Sequence, residues 1–245
     1  MPAVRHIAKA KRSIPGKNAE LSVVIPAAGI GSRMRYKEPK ALLNLSEDVT
    51  IVERQLETIW QIYPKADILM VIGYKADKIR DQLKRYPVRF IYNPIHESTN
   101  VTFSISLGLQ AAISSECLIV YGDLVFNEHA INTITDGNSK LLVDSNGHMN
   151  DDEVGVIIDE KNHISNLSFG LTKKWCQIAY LRGKELEIFK RSCYKDSTSR
   201  WFGYETLNDV INEGGILESY TIQSSIVFDI DTTQDLQKAK LGITI

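Results

Sequence analysis

Cysteine is scarce. Cys117, Cys176 and Cys193 are the only three in 245 residues. They are odd in number and far apart, with no Cys-x-x-Cys pair, so neither a disulfide framework nor a zinc knuckle is indicated. Such usage fits a reducing compartment, and a cytoplasmic location is expected. Long apolar runs are lacking too. No stretch approaches the ~20 residues that span a bilayer. The first residues carry positive charge without the apolar core of roughly 7–15 residues that a secretory signal needs. No membrane partner is expected. Net charge is almost absent, with 29 Lys and Arg against 30 Asp and Glu. That balance excludes a generally basic nucleic-acid binder and a highly charged disordered chain. The five histidines, His6, His96, His129, His148 and His163, show no metal-ligand spacing and are read as surface or turn residues. No Gly-x-Ser-x-Gly elbow and no Cys/His pair argues for hydrolysis. No internal repeat is visible.

What is present is a 43% hydrophobic chain, enough for a packed core. Its charge is unevenly spread. Residues 1–20 hold Arg5, Lys9, Lys11, Arg12 and Lys17 against Glu20 alone, so a basic leader precedes a mildly acidic body. The leader lacks a firm pattern and reads as a poorly ordered tail, solvated or used in a contact between subunits of a homo-oligomer. From Leu21 the pattern changes. Residues 21–25 form a short, continuously apolar, β-branched run, as expected for a strand buried on both faces. Similar runs recur at 68–72, 88–92 and 117–121. Helical patterns lie between them at 50–63, 75–85 and 101–113, the first opened by the capping-box spacing of Thr50 and Glu53. Strands alternating with helices predict an α/β fold, a Rossmann-like, mostly parallel central sheet with helices on both faces.

After residue 138 the texture turns antiparallel. Short strands are expected at 141–143, 154–158 and 163–167, the last two joined by a turn at 159–162. Helices are expected at 183–194 and 203–213. A strand at 226–230 then leads into a helix near 233–241, capped by Thr232 or Thr233. Residues 21–245 are read as one domain. In it, 21–137 form an alternating strand–helix half, 138–225 a smaller mixed or antiparallel part, and 226–245 a returning strand and helix.

In such a sheet, ligands sit at the carboxyl ends of the strands. The first of these ends is Pro26-Ala27-Ala28-Gly29-Ile30-Gly31-Ser32-Arg33-Met34, followed by Pro39-Lys40. Small residues let backbone approach a ligand, and backbone N–H groups in such a loop can cradle phosphate. Arg33 and Lys40 add cations suited to a polyphosphate. A dinucleotide fingerprint is excluded because Met34 occupies its third glycine position, and a Walker A loop because no Gly-Lys-Ser/Thr follows. On the glycines alone, a tight strand-to-helix turn is an equal reading. A second end is Gly122-Asp123, after the strand at 117–121, where the carboxylate can face the crevice. Asp231 lies in Asp229-Ile230-Asp231-Thr232-Thr233-Gln234-Asp235-Leu236, and its local reading is a helix cap.

The string VVIPAAGIGSRMRYKEPKALLNL resembles the signature of the nucleotidyltransferases that make nucleoside-diphosphate sugars and related compounds, and most closely the branch of phosphocholine cytidylyltransferases and sugar-phosphate nucleotidyltransferases. The resemblance is dense at the first loop, at Asp123 and at Asp231, and thin between 125 and 225. It implies an enzyme in which a substrate phosphate attacks the α-phosphate of a nucleoside triphosphate, with Mg²⁺ as cofactor and pyrophosphate as leaving group. The partners are then an NTP and a phosphorylated small-molecule acceptor. By this resemblance Asp123 and Asp231 are the metal-binding pair, with Asp229 either a supporting ligand or a bystander. The resemblance makes 21–137 the nucleotide-binding half, 138–225 the acceptor-binding part and 226–245 the carrier of the second metal-binding Asp, and Ala27, Ala28, Gly29, Gly31, Ser32 and Gly122 would line the nucleotide. Arg33 would stabilise the β,γ-phosphates and the departing pyrophosphate, and Lys40 the α-phosphate.

The segment TNVTFSISLGL is nearer to the phosphocholine branch than to the sugar uridylyltransferases. There Asn100 suits a pyrimidine edge, supported by Ser104, and CMP or UMP is favoured. Asn100 is equally a good helix cap. Trp175, Tyr180 and Glu205 are candidates for the acceptor; the aromatics at 175–204 would suit a cationic alcohol such as choline, and packing in the core is their other reading. Two other readings stand beside this one. They are a purine nucleotide transferase of the molybdenum-cofactor type and a non-catalytic nucleotide-binding regulatory module.

Overall fold

A computed structural model of the chain describes residues 19–30, 38–146, 149–222 and 226–242. The leader through residue 18 lies outside them. So do Gly31, Ser32 and Arg33 of the first loop.

Four apolar runs become the strands β1 (Ser22–Ala27), β2 (Asp67–Ile72), β3 (Arg89–Tyr92) and β4 (Glu116–Val120). They pair in parallel, β4 with β1, β1 with β2 and β2 with β3. β1 is apolar throughout because both its faces are covered. Val23 and Ile25 pack with helix α1 (Ile51–Ile62) and helix α2 (Ala76–Leu83). Val24 packs on the other side with α3 (Val101–Ala111), α4 (Gly183–Cys193) and α5 (Gly203–Asn212). Two helical layers on one sheet therefore place the strand carboxyl ends on a common edge. The predicted capping box forms, with Glu53 N–H donating to the Thr50 hydroxyl and Thr50 N–H to the Glu53 carboxylate.

The remaining chain completes the sheet in a mixed sense. β6 (Lys140–Asp144) and β10 (Glu218–Ile222) are parallel to each other, and β9 (Lys173–Arg182) runs antiparallel between β4 and β6. β7 (Val154–Ile158) and β8 (Ile164–Phe169) form the expected hairpin against β9. The sequence pattern shows β6, β7 and β8 but neither β10 nor β9, the longest strand described. For β9 the reason is a bulge. Ala179 faces Leu141 and Trp175 faces Val143, so three residues of β9 stand opposite one of β6. That insertion breaks the period-2 alternation from which strands are read.

A small second sheet positions the site. β5 (Leu124–Phe126) follows Asp123 directly and pairs antiparallel with β11 (Val227–Asp229), Leu124 opposite Asp229. The closing helix α6 (Thr233–Gly242) follows. Among the described residues no helix is long and apolar enough to cross a membrane.

Candidate functional site: an acidic cleft at the strand carboxyl ends

A cleft of about 400 Å³ opens at the carboxyl ends of β1 and β4. Ala27, Ala28 and Gly29 form one wall, and Gly122 and Asp123 lie beside them. Gly122 packs tightly on the end of β1. Its N–H donates to the Pro26 carbonyl at 3.3 Å, and a Cβ there would stand 3.0 Å from both that oxygen and the Ala27 Cβ. The buried Gln55 of α1 holds the loop from behind, its amide donating to the carbonyls of Tyr121 (2.7 Å) and Leu124 (2.8 Å). A glutamine between Val52, Leu56 and Ile59 of the apolar stripe was the available signal for this clamp.

Lys40 reaches the cleft from a short 3-10 turn, Lys40–Leu42, entered through Pro39. Proline fixes its own φ and leaves no N–H unsatisfied at the turn's start. Ala41 and Leu43 anchor the turn in the core, which leaves Lys40 facing the cleft. Its ammonium lies 3.2 Å from Asp123 and also pairs with Asp231. Asp231 arrives from the far end of the chain. Ile230 is buried, and its N–H donates to the Asp123 carbonyl at 3.1 Å, so β5 and β11 bring the two acids side by side. Asp231 is not the helix cap. Thr232 takes that role, its hydroxyl accepting from Asp235 N–H while the Asp235 carboxylate accepts from Thr232 N–H and hydroxyl. The Asp231 carboxylate is thereby left to the cleft.

Asp229 completes a triad of carboxylates. One oxygen from each of Asp123, Asp229 and Asp231 lies within 4.8 Å of the others. One Asp229 oxygen accepts from the Gln177 amide, and the other is buried with no hydrogen-bond partner among the described residues. Burial, then repulsion from Asp123 and Asp231, pushes the Asp229 pKa up to about 7. Burial acts to lower the pKa of Lys40, but Asp123, Asp231 and Asp229 outweigh it, and the ammonium is held above its ordinary value. With all three acids ionised and Lys40 protonated, the cluster carries a net charge of about −2, the complement of one divalent cation. An all-oxygen donor set of this kind suits a hard cation such as Mg²⁺.

The other lining residues form a distinct surface. Phe169 and Tyr204 meet edge to face at 5.4 Å, Phe202 stacks on Tyr204 at 6.2 Å, and Trp175 meets Tyr121 at 5.8 Å. Phe169 and Phe202 are 45% and 51% exposed, high for aromatic rings and consistent with a binding surface. Asp152 and Glu153 line the same cleft, Glu153 paired with Lys174.

Two predicted acceptor residues do not reach this cleft. Tyr180 is fully buried, and its hydroxyl donates to Glu116 at the opposite end of β4 (2.7 Å). Alternation along β9 turns it into the core. Glu205 accepts from Phe202 N–H at 2.7 Å and caps α5. Asn100 and Ser104 do line the cleft, with their polar groups engaged. Asn100 donates to the Arg200 carbonyl, and Ser104 accepts from the buried Asn93 at 3.1 Å. His96 also lines the cleft, although the sequence placed it only in a turn. Asp152, Glu153, Phe169, Lys174 and Gln177 carried no recognisable motif. They are gathered by the β7–β8–β9 part of the sheet.

Comparison with known proteins places these features. Residues 23–150 match the MobA-like NTP transferase domain family. Among curated proteins, the bifunctional protein GlmU of Synechococcus is 34% identical over 105 residues, which is 43% of this chain and 16% of that protein. The chain thus spans about one sixth of that relative's length. Among solved structures, the CTP:phosphocholine cytidylyltransferase LicC of Streptococcus pneumoniae superposes with a TM-score of 0.76 at 18% identity, covering 91% of this chain and 99% of that one. A glucose-1-phosphate thymidylyltransferase assigned in Bacillus anthracis gives 0.75 at 18% identity, covering 92% and 96%. At such identities the superpositions speak for the fold.

Proposed function

The chain belongs to the MobA-like NTP transferase domain family, and from that premise we propose that it transfers a nucleoside monophosphate, CMP or UMP, from an NTP to a phosphorylated small alcohol, releasing pyrophosphate. The observation that carries this reading is the joining of Lys40, Asp123, Asp229 and Asp231 beside the Ala27–Gly29 wall of one cleft. Mg²⁺ held by Asp123 and Asp231 would supply Lewis-acid neutralisation of phosphate charge.

The chain's own residues do the rest. The backbone at Ala27 to Gly29 lets the triphosphate approach closely; the family resemblance extends this role to Gly31 and Ser32, and gives Arg33 the β,γ-phosphates and the departing pyrophosphate. Lys40 is held in place by two carboxylates, so it need not reorganise as negative charge grows on the α-phosphate. No general base is required, because the acceptor phosphate is already anionic at neutral pH. Asn100 sits where a base edge would be read. The alcohol end of the acceptor faces Phe169, Phe202 and Tyr204, with Trp175 buried behind them and Asp152 and the Lys174-paired Glu153 nearby. Aromatic faces combined with carboxylates favour a cationic alcohol over a neutral sugar.

The test is pyrophosphate release from each of the four NTPs with Mg²⁺, against phosphocholine, phosphoethanolamine and a set of sugar 1-phosphates. CTP or UTP with a cationic phospho-alcohol should give the highest kcat/KM. Preference for a sugar 1-phosphate would overturn the acceptor assignment. A purine-only response would transfer the assignment to the molybdenum-cofactor type of transferase. No turnover, with NTP binding retained, would leave a regulatory module.

A further inference from the structure

Gln177 lies at the centre of the bulge in β9, with φ at +57°. That is the left-handed region, which costs a residue with a side chain roughly 1 kcal/mol or more. Glycine would adopt it without strain. The side chain shows what the strain accomplishes. The bulge turns Gln177 out of the strand's alternation and into the cleft, where its amide donates to Asp229. The second Asp229 oxygen is buried with no hydrogen-bond partner among the described residues, while the residue belongs to the carboxylate triad.

The identity of the donor matters. Lys40 already supplies a positive charge to Asp123 and Asp231. A second ammonium on Asp229 would compete with a bound cation. A neutral amide can fix the carboxylate rotamer by hydrogen bonding without adding charge. Lys174, three residues before the bulge centre against β7, acts on Asp229 only through space, its ammonium being hydrogen-bonded to Glu153.

We propose that Gln177 is a positioning residue, held in a strained bulge so that its amide fixes Asp229 as the third carboxylate of the cation-binding cluster. This rests on reading the cleft as a metal–nucleotide site. The decisive variant is Gln177→Gly, because it relieves the backbone while deleting the amide. Two readouts are taken on the full-length protein, thermal melting without metal and Mn²⁺ binding followed by the EPR signal of the free ion. The variant should melt at the same temperature as wild type or higher, yet bind Mn²⁺ about 10–100-fold more weakly, the usual effect of losing a group that orients a metal ligand. Asp229→Asn should weaken Mn²⁺ binding as well, and the double variant should bind no more weakly than Asp229→Asn alone.

Undiminished Mn²⁺ affinity in Gln177→Gly, alongside weakened binding in Asp229→Asn, would overturn the proposal and leave the site reading intact. A lowered melting temperature accompanying the lost affinity would also overturn it, since the bulge would then serve stability. Failure of wild type to bind Mn²⁺ at all would overturn both the proposal and the reading beneath it.

Discussion

Gly203 opens α5 directly beneath the aromatic part of the cleft, and a Cβ added there would stand 2.2 Å from the Tyr121 hydroxyl oxygen. The next contacts are 3.4 Å to Tyr121 Cζ and 3.5 Å to Trp175, ordinary van der Waals distances. The whole clash therefore belongs to one oxygen atom. In the wild-type background, Gly203→Ala should cost about 1–3 kcal/mol, as overpacking does in a rigid interior. Loss of glycine's freedom in the unfolded chain offsets this by roughly 0.4–1 kcal/mol, so a net loss of about 1–2 kcal/mol is expected. Tyr121→Phe removes the clashing atom. That hydroxyl is buried beside the Gly203 N–H without a well-formed hydrogen bond among the described residues, so its deletion should cost no more than ~1 kcal/mol.

In the Phe background, Gly203→Ala should then be neutral or stabilising by up to ~1 kcal/mol. The cycle of four proteins, measured by urea unfolding, should show a coupling of about 1–3 kcal/mol. The acceptor KM should follow the same pattern, raised in Gly203→Ala as the Tyr121 ring is driven toward Trp175 and the cleft, and restored in the double variant. Additive free energies within ~0.5 kcal/mol would refute the reasoning, because the two positions would then not share the contact.

Three further outcomes follow from the same structure. Lys40→Met leaves three acids facing one another. Because Asp123 and Asp231 remain 27% and 31% exposed, the loss should be about 1–2 kcal/mol rather than that of a fully buried pair; Mn²⁺ should raise its melting temperature more than that of wild type, while turnover falls at least ~100-fold. Burial pushes the thiols of Cys117 and Cys176 up to about 12 and that of Cys193 higher still. Native protein at pH 8 should therefore resist thiol reagents, and stability should decline as pH rises from about 8.5 toward 12, where only the unfolded thiols ionise, at roughly 1.4 kcal/mol per pH unit for each. Glu205→Ala should destabilise α5 by about 0.5–1 kcal/mol in thermal melts with kcat unchanged; a large fall in kcat would return Glu205 to the acceptor site.

The sequence by itself determined the layered half of this protein. Continuous apolar runs separated by amphipathic helices demand a sheet covered on both faces, and that in turn fixes the cleft at the strand ends. Thr50 and Glu53 and the Pro39–Lys40 turn are local devices. Their physics acts over a few residues and can be read from spacing. The tertiary structure alone decided which distant groups share the cleft. Lys40 meets Asp231 across 191 positions of chain, and only the β5–β11 pairing sets that distance. It also decided that Tyr180 faces the core and Gln177 the cleft. Side-chain direction in a strand depends on register, and a bulge resets it without leaving a mark in the apolar pattern.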